Sequence, residues 1–300
     1  MFKQTDTIHF SCTQCGQCCK KAPFLHFYDM LELSDEFFFQ TAHHAVLSNS
    51  KNPLDKDLIN HLQALGHTIV MPEEHIESSL FYFLDFMPIS YPSYKACPKL
   101  DNNLCTIYGK RPTSCKLAPL DAKFEDSQQW RTLNFYKENV IKNDWKCNFN
   151  EDQPIVYKDE QIYQPHQNSL YFQSVDIIRS ITDKYIEFLS ISDNAHQKKH
   201  LDTHFKAIFK SVIDNNLMIS DMIISLQSAR YHSLITEEAA VNFVENQLKF
   251  IDREMKPALS FKRKEDLPTS RLYKNQKEGY VKALKQNIFK YSSENFSLLG

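Results

Sequence analysis

Four of the chain's eight cysteines fall within eight positions, Cys12, Cys15, Cys18 and Cys19, in the stretch FSCTQCGQCCKK. The other four are Cys97, Cys105, Cys115 and Cys147, so none lies beyond residue 150. Sulfur in such density allows three chemistries: a disulfide framework, a thiol–disulfide redox pair, or metal ligation. Disulfides need an oxidising compartment. A redox pair needs only one C-x2-C and leaves most of the array unexplained. Overlapping C-x2-C spacings suit ligation, because two intervening residues let a tight turn aim both sulfurs at one ion about 2.3 Å away. Thr13 and Gly16 are small or permissive enough for those turns. Thiolate donors disfavour magnesium, calcium and manganese, and leave zinc, iron or an iron–sulfur cluster.

Cations cluster beside the thiols. Lys20 and Lys21 follow the first run, Lys99 follows Cys97, Lys110 and Arg111 precede Cys115, Lys116 follows it, and Lys146 precedes Cys147. Nearby positive charge lowers thiol pKa and offsets the net negative charge of a thiolate-bound divalent ion. Because adjacent residues tend to direct their side chains apart, Cys18 and Cys19 are expected to serve different ions. Eight thiolates suffice for two four-coordinate sites, one binuclear site with bridging sulfurs, or one cluster with spare thiols.

FSCTQCGQCCKK followed by ACPKLDNNLCTIYGKRPTSCKLAP resembles the CxxCxxCC cysteine-cluster family, also called the YkgJ type. The matching positions are Cys12, Cys15, Gly16, Cys18 and Cys19, then Cys97, Pro98, Leu100, Cys105, Ile107, Tyr108, Arg111, Pro112 and Cys115. Lys116 stands where an arginine is more usual, and Ala118 replaces a tyrosine before Pro119. The resemblance covers about residues 8–150 and implies a zinc- or iron-chelating domain whose ligands are the eight cysteines. Two other functions stay open. Flagellin lysine N-methylases carry a related cluster, although their spacing differs and no methyl-donor motif is readable here. An interaction module with purely structural zinc is the third.

Composition narrows the field further. The chain has 300 residues, 42% hydrophobic and 24% charged, with a net charge of −2. Residues 1–150 carry 15 basic against 17 acidic side chains and residues 151–300 carry 20 against 20, so no global charge points to nucleic acid. One local exception is 253–290, with 11 Lys and Arg against 4 Asp and Glu, a candidate surface for an acidic or nucleic-acid partner. The five glycines, Gly16, Gly66, Gly109, Gly279 and Gly300, are too far apart for a Walker loop or a dinucleotide fingerprint. No apolar run approaches membrane-spanning length and MFKQTDTIHF lacks a signal-peptide core, so the expectation is a cytoplasmic protein with no membrane partner.

The elements that must hold these residues read as mainly α. The first half, 1–150, is expected to be a loop-rich mixed domain stapled by metal, with a few short strands and a helical insertion over about 24–66. Within it HTIVMP and SSLFYFLDF read as strands and 128–143 as a helix. A polar, proline-containing connection follows from about residue 150. The remainder, 151–300, reads as a C-terminal α-helical bundle with helices over SLYFQSVDIIRSITDKYIEFLSI and LDTHFKAIFKSVIDNNL, from near Ser220, from a Thr236 cap, and over 275–290. His196, His200 and His204 would share one helix face, and a polar face is the reading preferred to a second metal site.

Overall fold

The computed structural model describes residues 1–20, 23–48, 67–70, 79–89, 97–190, 218–220, 222–261 and 267–290. The chain is mainly α with small antiparallel sheets. The helix predicted over 201–217 and the three histidines at 196, 200 and 204 lie outside the described residues, as does the stretch 49–66 of the predicted insertion.

Aromatic and β-branched residues build the largest sheet. Strands β2 (Phe38–Ser48), β3 (His67–Val70), β4 (Ser79–Ile89) and β9 (Met218–Ser220) lie in the order β3-β4-β2-β9. Strands β2 and β4 pair antiparallel over their whole length, from Phe38 opposite Ile89 to Ser48 opposite Ser79. This corrects the helical insertion expected over about 24–66, as far as its described residues go. Helix α1 covers only Phe27–Glu32, and the phenylalanine-rich run after it is extended. Two segments of matching length and strand-favouring composition find each other, and that pairing overrides any helical periodicity in the shorter window.

β4 is buried on both faces. Phe81 and Phe83 join one core, with Ile8, Phe10, Leu117, Leu133, Tyr157, Tyr171 and Ile178. Tyr82, Leu84 and Phe86 join another, with Phe38, Phe39, Ile181, Tyr185, Leu226, Phe243, Phe250, Tyr273 and Tyr280. The alternation is the period of two along a strand. Each core draws residues from both sides of residue 150. β3 pairs only as far as Tyr82, and further along the same strand Phe86 exchanges both backbone hydrogen bonds with Leu25, at 2.8 and 3.2 Å.

The remaining strands are short. β1 (Ile8–His9), β7 (Ile155–Lys158) and β8 (Gln161–Ile162) form a second sheet in the order β1-β7-β8. The polar connection expected here therefore contains a hairpin. Asp159 and Glu160 turn it with φ of 52° and 61°, as a two-residue turn of the type that matches strand twist requires. β5 (Leu100–Asp101) and β6 (Leu104–Cys105) make the third sheet, a hairpin turned by Asn102 and Asn103 at 47° and 64°. Asparagine tolerates this left-handed conformation better than most residues.

Helices α2 (Thr113–Leu117) and α3 (Gln129–Asn143) belong to the cysteine-bearing part. α3 ends where Asp144 turns left-handed, at φ 54°. The C-terminal part carries α4 (Pro165–Ser190), α5 (Ile223–Tyr231), α6 (Glu237–Phe261) and α7 (Leu267–Lys285), the last starting earlier than the expected residue 275. Thr236 caps α6 as its sequence implies, its hydroxyl accepting from the Ala239 N–H at 3.1 Å. Gln247 of α6 is buried and ties the helix to the entry of β2. Its amide accepts from Phe39 N at 2.8 Å and donates to the carbonyls of Ser34 and Phe37 at 2.7 Å. On the strand side, Thr182 of α4 accepts from Leu84 N at 3.1 Å. Part of the basic surplus in 253–290 is answered within the helices, where Lys277 pairs with Asp252.

Candidate metal centre

Three backbone segments converge on the thiols. The first begins at Ser11, which exchanges backbone hydrogen bonds with Asn148 at 2.9 and 3.1 Å in an antiparallel bridge. That register sets Cys12 opposite Cys147. The chain then turns tightly. Gln14 has φ 59° and its N–H donates to the Cys12 sulfur at 3.4 Å, and Gly16 has φ 69°. A 3-10 turn over Cys18–Lys20 follows, with Cys19 N donating to Gly16 O.

The second segment is the β5–β6 hairpin with its flanks. Cys97 N donates to Cys19 O at 2.8 Å, which joins the two cysteine runs directly. Leu100 N returns to Cys97 O, and Leu100 pairs with Cys105 across the hairpin. Arg111 lays its guanidinium over the Tyr108 ring at 3.7 Å and donates from Nε to the Tyr108 carbonyl. Cys115 follows on the short helix α2. The start of that helix is held by Asp29, whose two carboxylate oxygens each accept from Thr113 N at 2.9 Å, while one also accepts from the Thr113 hydroxyl. The third segment, leaving α3 at Asp144, supplies Cys147.

Together these segments line one cavity of about 520 Å³ with all eight cysteines. Every cysteine is a free thiol; Cys12 and Cys18 are exposed and the other six half-buried. Among the described residues no three His, Cys, Asp or Glu groups are already drawn together as a closed ligand set. The donors nevertheless suit zinc or iron in kind. The Cys18 and Cys19 sulfurs are 3.9 Å apart. Two thiolates on one tetrahedral ion, with bonds of about 2.3 Å, would be about 3.8 Å apart. The expectation that these adjacent side chains diverge is thus corrected: the 3-10 turn compresses the backbone and brings both sulfurs to one side.

The electrostatics are those of crowded sulfur. Burial raises Cys12 and Cys97, and burial with neighbouring thiols pushes Cys115 and Cys147 up to about 12. The hydrogen bond between Cys18 and Cys19 lowers Cys18 to about 7 and holds Cys19 up. Each thiolate makes the next harder to form, and hydrogen-bond donors and nearby cations relieve this. Arg111 acts on Cys12 and Cys18, and Lys99 on Cys97, so two of the flanking cations noted in the sequence do bear on the sulfurs. Lys99 also pairs with Glu36, and Lys146 pairs with Asp144. A bound divalent ion would supply the positive charge that lets the remaining thiols ionise.

The cavity has a second pole that residue spacing gave no sign of. Because Leu25 pairs with Phe86, the antiparallel register sets His26 opposite Asp85. Asp85 pairs with Lys123 at 2.8 Å, the carboxylate side chain only 4% exposed. His26 is 7% exposed, and among the described residues neither ring nitrogen meets a hydrogen-bond partner, nor does the buried Ser114 hydroxyl. All four residues line the cavity. Asp29, which anchors the Cys115 helix from 84 positions away, was also missed. Only Pro112–Thr113, readable as a helix start, hinted that some cap was needed there.

Residues 11–148 match the model of a family described as "CxxCxxCC: Putative zinc- or iron-chelating domain". Comparison with curated proteins and with solved structures gives no match. Over residues 11–148, which hold all eight cysteines, the chain is similar to the CxxCxxCC cysteine-cluster family.

Proposed function

We propose that the protein chelates zinc or iron through Cys12, Cys15, Cys18, Cys19, Cys97, Cys105, Cys115 and Cys147. One observation carries this reading: eight free thiols from segments up to 135 positions apart all line one cavity. A fold that needed cysteine only as a small apolar side chain would have scattered it through the cores. Neither described core counts a cysteine among its fully buried members. The ion would join the three converging segments, so its binding free energy would add to the stability of this part of the fold. The chemistry requires reduced thiols, which fits a cytoplasmic protein.

Metal analysis with visible spectroscopy on full-length protein purified without oxygen tests the proposal. Stoichiometric zinc in a colourless protein, or iron with a charge-transfer band, is the expected result. Protein that carries no metal, with eight freely titratable thiols, overturns it.

A further inference from the structure

The cavity that takes the thiols also holds two buried polar groups that chelation does not use. His26 stands just before α1 with extended backbone, yet its side chain makes no helix cap. It is more than nine-tenths buried and lines the cavity, and among the described residues neither ring nitrogen has a partner. The buried Ser114 hydroxyl lines the same cavity and also has none among them. Asp29 ties the two residues to one end of the cavity. It lies in the first turn of the helix that His26 precedes, and its carboxylate accepts from Thr113, the neighbour of Ser114. A buried polar group without a partner costs free energy, and in folded proteins nearly all such groups are met by something.

The surroundings restrict what could meet them. A neutral imidazole has one donor and one acceptor nitrogen, and a hydroxyl does both. An ammonium only donates and would leave the imidazole N–H unmet. A carboxylate only accepts, so it would leave the imidazole lone pair unmet. It would also face Asp85 and Asp121, where Lys123 is already engaged: its ammonium pairs with Asp85 at 2.8 Å, and its backbone N–H donates to Asp121 at 2.9 Å. The walls at this end are apolar. Phe24, whose ring centre is 5.0 Å from Lys123 Nζ, lines it together with Leu117 and Leu120. The cavity volume of about 520 Å³ falls within the range of small-molecule sites, roughly 300–1,000 Å³. We propose that this end of the cavity binds a small uncharged organic molecule, its polar group of the carboxamide kind held by His26 and Ser114 and its apolar body lying against Phe24, Leu117 and Leu120. The site takes no ligand from the thiols, so it goes beyond the chelating function and is tested apart from it.

The test uses full-length protein labelled with nitrogen-15 in histidine, at about pH 8 so that the imidazole is neutral, with equal metal content in every sample. Benzamide, benzoate and benzylamine present one ring with a neutral, an anionic and a cationic end. Calorimetry should show benzamide binding, with benzoate and benzylamine about tenfold weaker or more. Benzamide should also move a ring-nitrogen signal of His26. Ser114→Ala should weaken benzamide about fivefold, the worth of one hydrogen bond, and His26→Leu should weaken it further. The wild-type series and Ser114→Ala decide the matter even if His26→Leu fails to fold. No benzamide binding up to its solubility limit, with the His26 signals reporting water only, overturns the site. A charged probe that binds as tightly as benzamide overturns the ligand class, and benzamide binding that neither substitution weakens overturns the residues. None of these outcomes bears on whether the thiols hold metal, which metal content reads separately.

Discussion

Gly16 lies against the carbonyl of Asn103 so closely that a Cβ added to it would stand 2.2 Å from that oxygen. The contact presses the first cysteine run onto the tip of the β5–β6 hairpin. Gly16 also has φ 69°, which side chains rarely adopt. Gly16→Ala therefore meets both backbone strain and a clash with backbone, which cannot rotate away. The expected cost is on the order of 3 kcal/mol, with loss of bound metal. Gly109 has nothing within 4 Å of an added Cβ, so Gly109→Ala should stay within about 0.5 kcal/mol of wild type. Denaturant melts of both variants, with metal content, check the contrast; equal melting would contradict it.

Asp29 holds the start of the helix that carries Cys115. Asp29→Ala leaves Thr113 N and its hydroxyl without their charged acceptor, in a place where Asp29 itself is buried. Hydrogen bonds to charged groups are worth about 1.5–3 kcal/mol each. The variant should lose roughly 2–3 kcal/mol and bind metal more weakly, although no metal ligand has changed. Unchanged metal affinity in a competition assay would separate this anchor from the thiol site.

His26 makes stability depend on pH. Burial lowers its pKa in the folded state, partly offset by the surrounding carboxylates Asp29, Asp85 and Asp121. Unfolded, it titrates near its ordinary value of about 6.5. Below that value the unfolded chain takes up a proton that the folded chain resists, so stability falls as the pH drops. Melting temperature should decline between about pH 7.5 and pH 5.5. The decline should be shallower in His26→Gln at equal metal content. Parallel curves for the two proteins would remove His26 from the account.

Gln247 satisfies three backbone groups at the entry of β2 with one side chain. Gln247→Leu keeps the volume and strands one N–H and two carbonyls in a buried place. Each unsatisfied buried group costs about 1–3 kcal/mol, so a loss of roughly 3 kcal/mol or more is expected. A thermal shift of only a degree or two would show that water replaces the amide there.

What the sequence made legible follows the range of the interactions involved. The Thr236 cap, α3 and the strand nature of β4 rest on neighbours a few residues apart, and each is found where the local pattern placed it. The fate of 38–48 could not be read locally, because its strand pairs with β4, 31 to 51 positions away, and with β9, further still. The cysteines were legible as a set, since their type and spacing are rare. Their convergence on one cavity needed Ser11 to meet Asn148 and Cys97 to meet Cys19. His26 and Asp29 were illegible for the same reason. A lone buried histidine or aspartate has no sequence signature, and its environment is assembled from distant segments.

β4 imposes a reading frame of two on the molecule. Phe81 and Phe83 belong to one core, Tyr82, Leu84 and Phe86 to the other, and Asp85 continues the parity of the first pair toward the sulfur cavity. One residue inserted or deleted near Leu80 would exchange the two sets across the sheet. It would drive the Asp85 carboxylate into the core that the C-terminal helices share. Two residues would restore the parity at the cost of a local bulge. Length changes in this strand should therefore survive only in even steps, and odd ones should abolish the sulfur cavity and the helical packing together.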